Sequence, residues 1–307
     1  MRRIVKIILG IMLISMFNFN NIEVKCTENN EECEVNTKRD ILVCMLSYPE
    51  MVRGVERDRD GNVYLIMKDG RKVLYDDRVK KLQDDKFYNS DLEDTLSEIY
   101  PLNSIEQVMS NNRDPGRFRC YSFLNALYGE NKGEIDKNIH TIVTACGNVT
   151  FNKANNASEN LRLALNEVGE LIKSNEELRS FVVPLSGGYN YRFIKDTQML
   201  SPHGYGIAID LNKNDADYWK WATKEQGSKR IKEYPTALVK IFEKYGFVWG
   251  GKWAHFDILH FEYRPEIILK AKYFSEEVLE DEEWYEGIPM DENTKAIIKE
   301  INRAFKL

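Results

Sequence analysis

A short alternating stretch, GYGIAIDLN at residues 204–212, constrains the fold more strongly than any other part of the chain. Three branched apolar residues alternate with a small and an acidic one: Ile207, Ile209 and Leu211 against Ala208 and Asp210. In a β-strand, successive side chains point to opposite faces, so one face can enter a core while the other presents Asp210 beside open space. Gly204 and Gly206 allow a tight turn ahead of this strand.

His203 lies just before this turn and is one of only four histidines in the chain. Seven residues and a glycine-rich bend separate it from Asp210, which is enough chain for the imidazole to fold back to the carboxylate. Alone, His203 fits a turn and Asp210 fits the end of a strand. An imidazole paired with a carboxylate suits Zn²⁺, and the pair therefore predicts a metal site.

A third ligand is expected from the stretch GFVWGGKWAHFDILHFEYRP, which contains His255 and His260. Alternation places His260 and Glu262 on the face opposite three apolar residues, Leu259, Phe261 and Tyr263. His260 is therefore the better ligand, and His255 is interpreted as a pocket-lining or solvent residue. Asp257, three residues before His260, is close enough to act as a general base.

Together, SPHGYGIAID, WGGKW, DILH and HFEYRP resemble the zinc metallopeptidases that trim peptidoglycan stem peptides. These are the D-alanyl-D-alanine carboxypeptidases, the D-Ala-D-Ala dipeptidases and the L-alanyl-D-glutamate endopeptidases. The resemblance runs from about Gly187 to Glu266. The family pattern is filled at Ser201, His203, Gly206, Ala208, Asp210, Asp257 and His260. It implies an α+β fold of the hedgehog and DD-peptidase type, with an antiparallel sheet and flanking helices.

The resemblance also implies a role for each matching residue. His203, Asp210 and His260 would hold Zn²⁺, and Asp257 would activate the water and pass its proton to the leaving amine. Arg192, in YNYR, fills the family's arginine position and would stabilise the oxyanion. The dipeptidase branch carries glutamate at the base position and tryptophan before the histidine. Asp257 followed by Ile-Leu is closer to the endopeptidase branch, so the cleaved bond stays open.

Several further residues are candidates for substrate contact or for support of the ligands. Glu262 is expected to orient a ligand or Arg192, although Arg192 could instead simply pair with Glu262 or another acid. The remaining candidates are Ser201, Tyr205, Trp249 and Trp253. For these aromatic residues, a place in the core is an equally good interpretation.

The N-terminal residues 1–25 carry Arg2, Arg3 and Lys6 ahead of an apolar run at residues 7–17, which is typical of a secretion signal. An uncleaved membrane anchor is the alternative. Lipid attachment at Cys26 is disfavoured, because IEVK before it lacks small residues. We expect a secreted or cell-envelope protein. A net charge of −6 argues against a nucleic-acid partner.

Composition divides the rest of the chain into four parts. A linker spans residues 26–45 and a small N-terminal module residues 46–150. The peptidase domain spans residues 151–275, and an acidic segment with a C-terminal helix spans residues 276–307. Within them, the patterns predict a hairpin of residues 63–67 and 72–75 and helices at 91–110, from a Ser158 cap, from Pro235 to Gly246, and at 290–307.

Other functional classes are alternatives to a peptidase of this kind. A thiol protease using Cys120 and His140 has no local support, and a buried or disulfide-bonded cysteine is favoured. A zinc-binding domain without catalysis is one alternative, because hedgehog signalling domains resemble this fold and keep the metal triad. A wall-binding or inhibitory module with purely structural zinc is another, and a closed four-ligand site, for instance through His255, would favour it. Retention of Asp257 and Arg192 argues for the enzyme.

Overall fold

The structure is a computed structural model that describes residues 31–276 and 282–306. The predicted signal or anchor at residues 1–25 lies outside this range. Across the described ranges, no helix has both the length and the apolar character needed to cross a membrane. Helices surround three small antiparallel sheets, which confirms the predicted α+β class.

The elements are numbered in chain order. The helices are α1 (Glu31–Ser47), α2 (Gln83–Asn89), α3 (Leu92–Leu96), α4 (Tyr121–Tyr128), α5 (Lys132–Asp136), α6 (Ala157–Ser174), α7 (Arg179–Val182), α8 (Pro202–Tyr205), α9 (Lys224–Glu233), α10 (Thr236–Lys244), α11 (Pro265–Tyr273) and α12 (Glu292–Ala304). The strands are β1 (Val52–Arg57), β2 (Val63–Met67), β3 (Lys72–Leu74), β4 (Ile139–Thr144), β5 (Gly147–Asn152), β6 (Ala208–Asp210), β7 (Phe247–Trp249) and β8 (His260–Tyr263).

The sheet that positions the site has the order β6-β8-β7, with both pairs antiparallel. Asp210 on β6 stands opposite His260 on β8, and Ala208 stands opposite Glu262. The apolar side chains of this alternation are fully buried, as predicted: Ile207, Ile209, Leu211 and Phe261. Helix α10 packs on β7 and on α6, which closes the core on that side.

A second sheet, β1-β2-β3, contains the predicted hairpin, whose turn includes Gly70 at a φ of 86°. The third is the hairpin β4-β5, which crosses the proposed module boundary at residue 150. One hydrophobic cluster includes residues on both sides of that boundary, from Ile41 to Ile301. The division into domains stays a prediction.

The predicted linker at residues 26–45 is instead helical from Glu31 onward, as α1. Its second half is buried, and Ile41 and Val43 have no exposed surface. Asp40 is buried as well, where Lys270 contacts it at 2.5 Å and the Tyr75 hydroxyl donates to it at 2.8 Å. The polar composition was misleading because the charge of Asp40 has its partner, Lys270, far along the chain.

Two predicted helices differ in their extent. The helix predicted at 91–110 ends after Leu96, where the Ser97 hydroxyl bonds to the Asp94 carbonyl at 3.0 Å and Pro101 follows shortly. The helix predicted to begin at a Ser158 cap is α6, whose cap position is held by Asn156. Its predicted apolar stripe is buried: Leu161, Leu165, Val168 and Ile172. The helices predicted from Pro235 and from Met290 are α10 and α12.

Candidate metal centre

The turn between α8 and β6 places His203 beside the strand. Pro202 occupies the first turn of α8, and Gly206 ends the helix in the left-handed region at a φ of 72°. A Cβ atom on Gly206 would lie 2.7 Å from the flexible end of the Ile139 side chain and 3.2 Å from the Asn152 backbone nitrogen, so the left-handed φ is the main requirement for glycine and the close backbone adds to it. The chain then enters β6 directly and reaches Asp210.

Three side-chain atoms converge at this point. The Nε2 atom of His203 lies 3.2 Å from the Oδ1 atom of Asp210, and the Nδ1 atom of His260 lies 2.9 Å from the same oxygen. Ligands about 2.0–2.1 Å from a tetrahedral zinc ion lie roughly 3.3 Å apart. The spacing and the donor set, two imidazoles and one carboxylate, therefore fit Zn²⁺.

The second nitrogen of each imidazole has a partner of its own. Nδ1 of His203 lies 2.8 Å from the Gly188 carbonyl, which fixes this nitrogen as the donor and leaves Nε2 for the metal. Nε2 of His260 lies 3.7 Å from a carboxylate oxygen of Glu262, an ion-pair contact longer than a hydrogen bond. Support of this kind is typical of histidines that bind metals.

In the metal-free protein, the pKa values of two of the ligands, Asp210 and His260, are shifted. Burial alone would raise the pKa of Asp210, but the imidazoles of His203 and His260 lower this pKa well below its usual range. Burial opposes protonation of His260, yet Asp210 and Glu262 raise its pKa to about 10. Metal-free His260 is therefore charged at neutral pH, and a metal ion must displace its proton.

Asp257 lies in the turn that leads into β8. Its backbone N–H donates to the Gly250 carbonyl at 2.9 Å, and its carbonyl accepts from the His260 N–H at 3.1 Å. A Cβ atom on Gly250 would lie 2.5 Å from the Asp257 carbonyl oxygen, so this close approach needs glycine. Burial and the charge of Asp210 raise the pKa of Asp257 to about 6 against the opposing effect of His260. A carboxylate with such a pKa suits a general base.

Arg192 is carried by the segment that leads into α8. Its carbonyl accepts from the Ser201 N–H at 3.0 Å, and its side chain is exposed. Burial raises the pKa of Tyr218, and the positive charge of Arg192 opposes this rise. The backbone of Tyr218 pairs with that of Asp257. The proposed pairing of Arg192 with Glu262 is wrong, because Glu262 instead pairs with Arg119 at 2.6 Å.

The aromatic candidates lie in the core. Tyr205 is 1% exposed, and its hydroxyl donates to Asn125 at 2.5 Å. Trp253 is 3% exposed, with its indole N–H on the Pro115 carbonyl at 2.8 Å and its ring 5.8 Å from that of His260. Of the two interpretations, this burial favours a place in the core over a place in the wall of a substrate cleft. Trp249 is also buried, and Ser201 is a buried residue at the start of α8.

His255 is directed to a different partner. Its Nδ1 atom lies 2.6 Å from the Asp114 carboxylate, and its ring packs against Trp219. Within the described ranges, the metal-binding group at this site contains only His203, Asp210 and His260. The closed four-ligand site through His255 is therefore not formed.

The thiol-protease alternative also finds no support in the geometry. His140 bonds to the Ser158 hydroxyl at 2.8 Å, whereas Cys120 is buried beside Ser122. Burial raises the pKa of the Cys120 thiol, which opposes formation of the nucleophilic thiolate. Among the residues that the structure describes, Cys33 is disulfide-bonded, and three buried cysteines are free: Cys44, Cys120 and Cys146.

Acidic residues also cluster around Lys81, at Asp77, Asp91 and Asp94. The Lys81 ammonium lies 2.8, 2.9 and 2.6 Å from these three carboxylates. Its positive charge occupies the place that a cation would need. This cluster is therefore an ion-pair network that stabilises the turn before α3.

The sequence patterns did not identify two residues near the site: Arg119, which pairs with Glu262, and Asp114, which bonds to His255. Both lie in the segment DPGRFRC, where the visible pattern was only a Pro-Gly turn. Arg119 and Glu262 are 143 residues apart, and no local periodicity predicts such a pair. The only indication in the sequence was that Arg119 and Glu262 are charged residues in stretches that are otherwise mainly apolar or turn-forming.

Comparison with known proteins agrees with this geometry. Residues 195–263 match the model of a peptidase family, M15_4, described as D-alanyl-D-alanine carboxypeptidase. No curated protein and no solved structure matches the chain. The matched range includes the three candidate ligands and Asp257. The match thus supports a peptidase of the M15 family, without identifying the particular member.

Proposed function

We propose that this protein is an exported zinc peptidase that hydrolyses peptide bonds in peptidoglycan stem peptides. The observation that carries the proposal is the convergence of His203, Asp210 and His260 next to Asp257, inside the range that matches a peptidase family. Bound Zn²⁺ would act as a Lewis acid toward the scissile carbonyl and would lower the pKa of water.

The protein's own residues supply the remaining chemistry. The Gly188 carbonyl holds the His203 ring, and Glu262 lies beside the outer nitrogen of His260, so both rings present their inner nitrogens. Asp257 accepts a proton from the attacking water and returns it to the leaving amine. The exposed guanidinium of Arg192 is free to reach a substrate and stabilise the negative charge that develops on the carbonyl oxygen.

Two features support a substrate in the cell wall. The resemblance is to enzymes that trim stem peptides, and the basic and apolar residues 1–17 are typical of export. An uncleaved N-terminal segment would in addition attach the enzyme to the membrane. The type of bond is proposed to be either that of a D-alanyl-D-alanine carboxypeptidase or that of an L-alanyl-D-glutamate endopeptidase.

The proposal is tested by mass spectrometry of purified muropeptides after incubation with the protein, with and without a zinc chelator. Loss of a terminal alanine, abolished by the chelator, would establish a carboxypeptidase. A cut between L-Ala and D-Glu would establish an endopeptidase. Unchanged masses with zinc demonstrably bound would contradict the enzyme and favour a non-catalytic zinc-binding module.

A further inference from the structure

We propose that Arg119 is a positioning residue of the metal centre, which acts by anchoring Glu262 beside the outer nitrogen of His260. The inference rests on the zinc site of the proposed function and extends it to residues 113–119. This segment lies outside the range that matches the peptidase family. Residues N-terminal to the matched range would then help to position the ligands of the metal centre.

The contact between Arg119 and Glu262 is a buried, two-nitrogen ion pair. The Nη2 atom of Arg119 lies 2.6 Å from Oε2 of Glu262, and its Nε atom lies 3.0 Å from Oε1. The side chains are 6% and 0% exposed, respectively. A fork of this geometry restrains both the position and the plane of the carboxylate, which a single-point contact with lysine would not do.

Glu262 connects this ion pair to the metal centre. Its Oε2 atom, which accepts from Arg119, is also the oxygen that lies 3.7 Å from Nε2 of His260. The ion pair with Arg119 therefore holds this carboxylate beside His260 and favours the orientation of the ring in which Nδ1 faces Asp210.

The neighbouring Arg264 does not take over this function. Its Nε atom lies 2.6 Å from Glu266, whose other oxygen accepts from the Tyr48 hydroxyl at 2.6 Å. The contact of Arg264 with Glu262 is longer, at 3.4 Å. Arg119 is thus the principal partner of Glu262, while Arg264 is held mainly by Glu266.

The segment that carries Arg119 is itself fixed to the loop before Asp257. The Ala254 N–H donates to the Arg113 carbonyl at 2.8 Å, and the Trp253 indole donates to the Pro115 carbonyl at 2.8 Å. The Asp114 carboxylate binds both the backbone and the ring of His255. These contacts hold the start of the segment that carries Arg119 against the loop before Asp257.

The test is the zinc affinity of full-length variants, measured by competition with a chromophoric chelator. Outer partners of metal ligands are typically worth about 10–100-fold in affinity, and we expect Arg119→Ala to weaken zinc binding within this range. Arg119→Lys, which keeps the charge but loses the fork, is expected to recover only part of the loss. Lys270→Ala is the matched control, because it breaks a buried ion pair with Asp40 that includes none of the candidate ligands, and its zinc affinity should equal that of the wild type.

Two further measurements separate positioning from general stability. Arg119→Met combined with Glu262→Gln removes both charges, so no unpaired buried charge is left to unfold the protein, and zinc binding should still be weakened. Imidazole NMR of the zinc-bound variants should show a second orientation of His260. Folded Arg119 variants with wild-type zinc affinity would overturn the inference and leave the proposed function intact. A wild-type protein that binds no zinc would contradict the proposed function itself.

Discussion

Asp210 and His260 stand directly opposite each other on antiparallel strands, and the Nδ1 atom of His260 lies 2.9 Å from the Oδ1 atom of Asp210. The register of one strand pair thus sets the geometry of two candidate ligands, while the turn at Gly206 adds the third. Since strand pairing is fixed by the buried apolar face, the core and the metal centre depend on each other.

Removal of one ligand should abolish stable zinc binding. We expect His260→Ala to retain less than about a tenth of the bound metal after dialysis, because two protein ligands are too few for a stable site. The measurement is metal content by atomic spectrometry. His140→Ala is the matched control and should keep its zinc, since the His140 ring is bonded to the Ser158 hydroxyl and not to a candidate ligand. Equal loss in both variants would argue against the assignment.

Zinc affinity should rise with pH around neutrality. In the metal-free folded protein the pKa of His260 is about 10, compared with 6.5 for an ordinary histidine. The charged His260 therefore stabilises the metal-free fold fully below pH 6.5 and progressively less as the pH rises toward 10. Zinc must displace this proton, so its affinity should increase about tenfold from pH 6.5 to 7.5. An affinity that does not change over this interval would contradict a protonated His260.

Asp257→Asn should separate chemistry from metal binding. The amide cannot accept the proton of the attacking water, and general acid–base catalysis is typically worth about 10²–10⁴-fold in rate. We expect kcat to fall by this factor while the zinc content stays at the wild-type level. Retention of full activity would exclude Asp257 as the base.

Arg192 should act on the rate and not on the metal. Loss of one group that stabilises an oxyanion typically costs about 10²–10³-fold in kcat. Arg192→Ala is expected to show such a loss, and Arg192→Lys a smaller one, because lysine keeps a positive charge. Both should bind zinc normally. An unchanged kcat in Arg192→Ala would show that this exposed side chain has no part in the reaction.

The glycine turn ahead of β6 should be sensitive to a single methyl group. Gly206→Ala combines a left-handed backbone with a contact of 2.7 Å to Ile139, and we expect a loss of about 1–3 kcal/mol in the free energy of unfolding. Urea denaturation measures it. Gly70→Ala is the control, since its φ is 86° but its Cβ would meet nothing within 4 Å. Equal losses would show that the contact with Ile139 contributes nothing.

The sequence patterns predicted the local elements of the site better than its surroundings. Alternation placed Ile209 and Phe261 in the core and Asp210 and His260 on the opposite face, because side-chain direction follows strand periodicity. The same reasoning could not show that Tyr205 is buried with its hydroxyl on Asn125. Periodicity and composition predict which side chains can be buried, but they do not predict which distant segment packs over them.

Long-range ion pairs explain most of the remaining differences. The pairs of Asp40 with Lys270 and of Arg119 with Glu262 join segments more than a hundred residues apart, and each buries charges that composition alone assigns to the surface. Helix α1 was interpreted as a linker for this reason. The proposed support of His260 by Arg119, through Glu262, was missed for the same reason.

The most direct test of a zinc-dependent peptidase is to remove the metal completely and titrate it back while hydrolysis of muropeptides is measured in the same samples. The account predicts that activity is lost without zinc and returns in proportion to bound metal, reaching a plateau at about one ion per chain. Hydrolysis that persists after complete removal of the metal, or its absence with one zinc ion bound, would contradict the account.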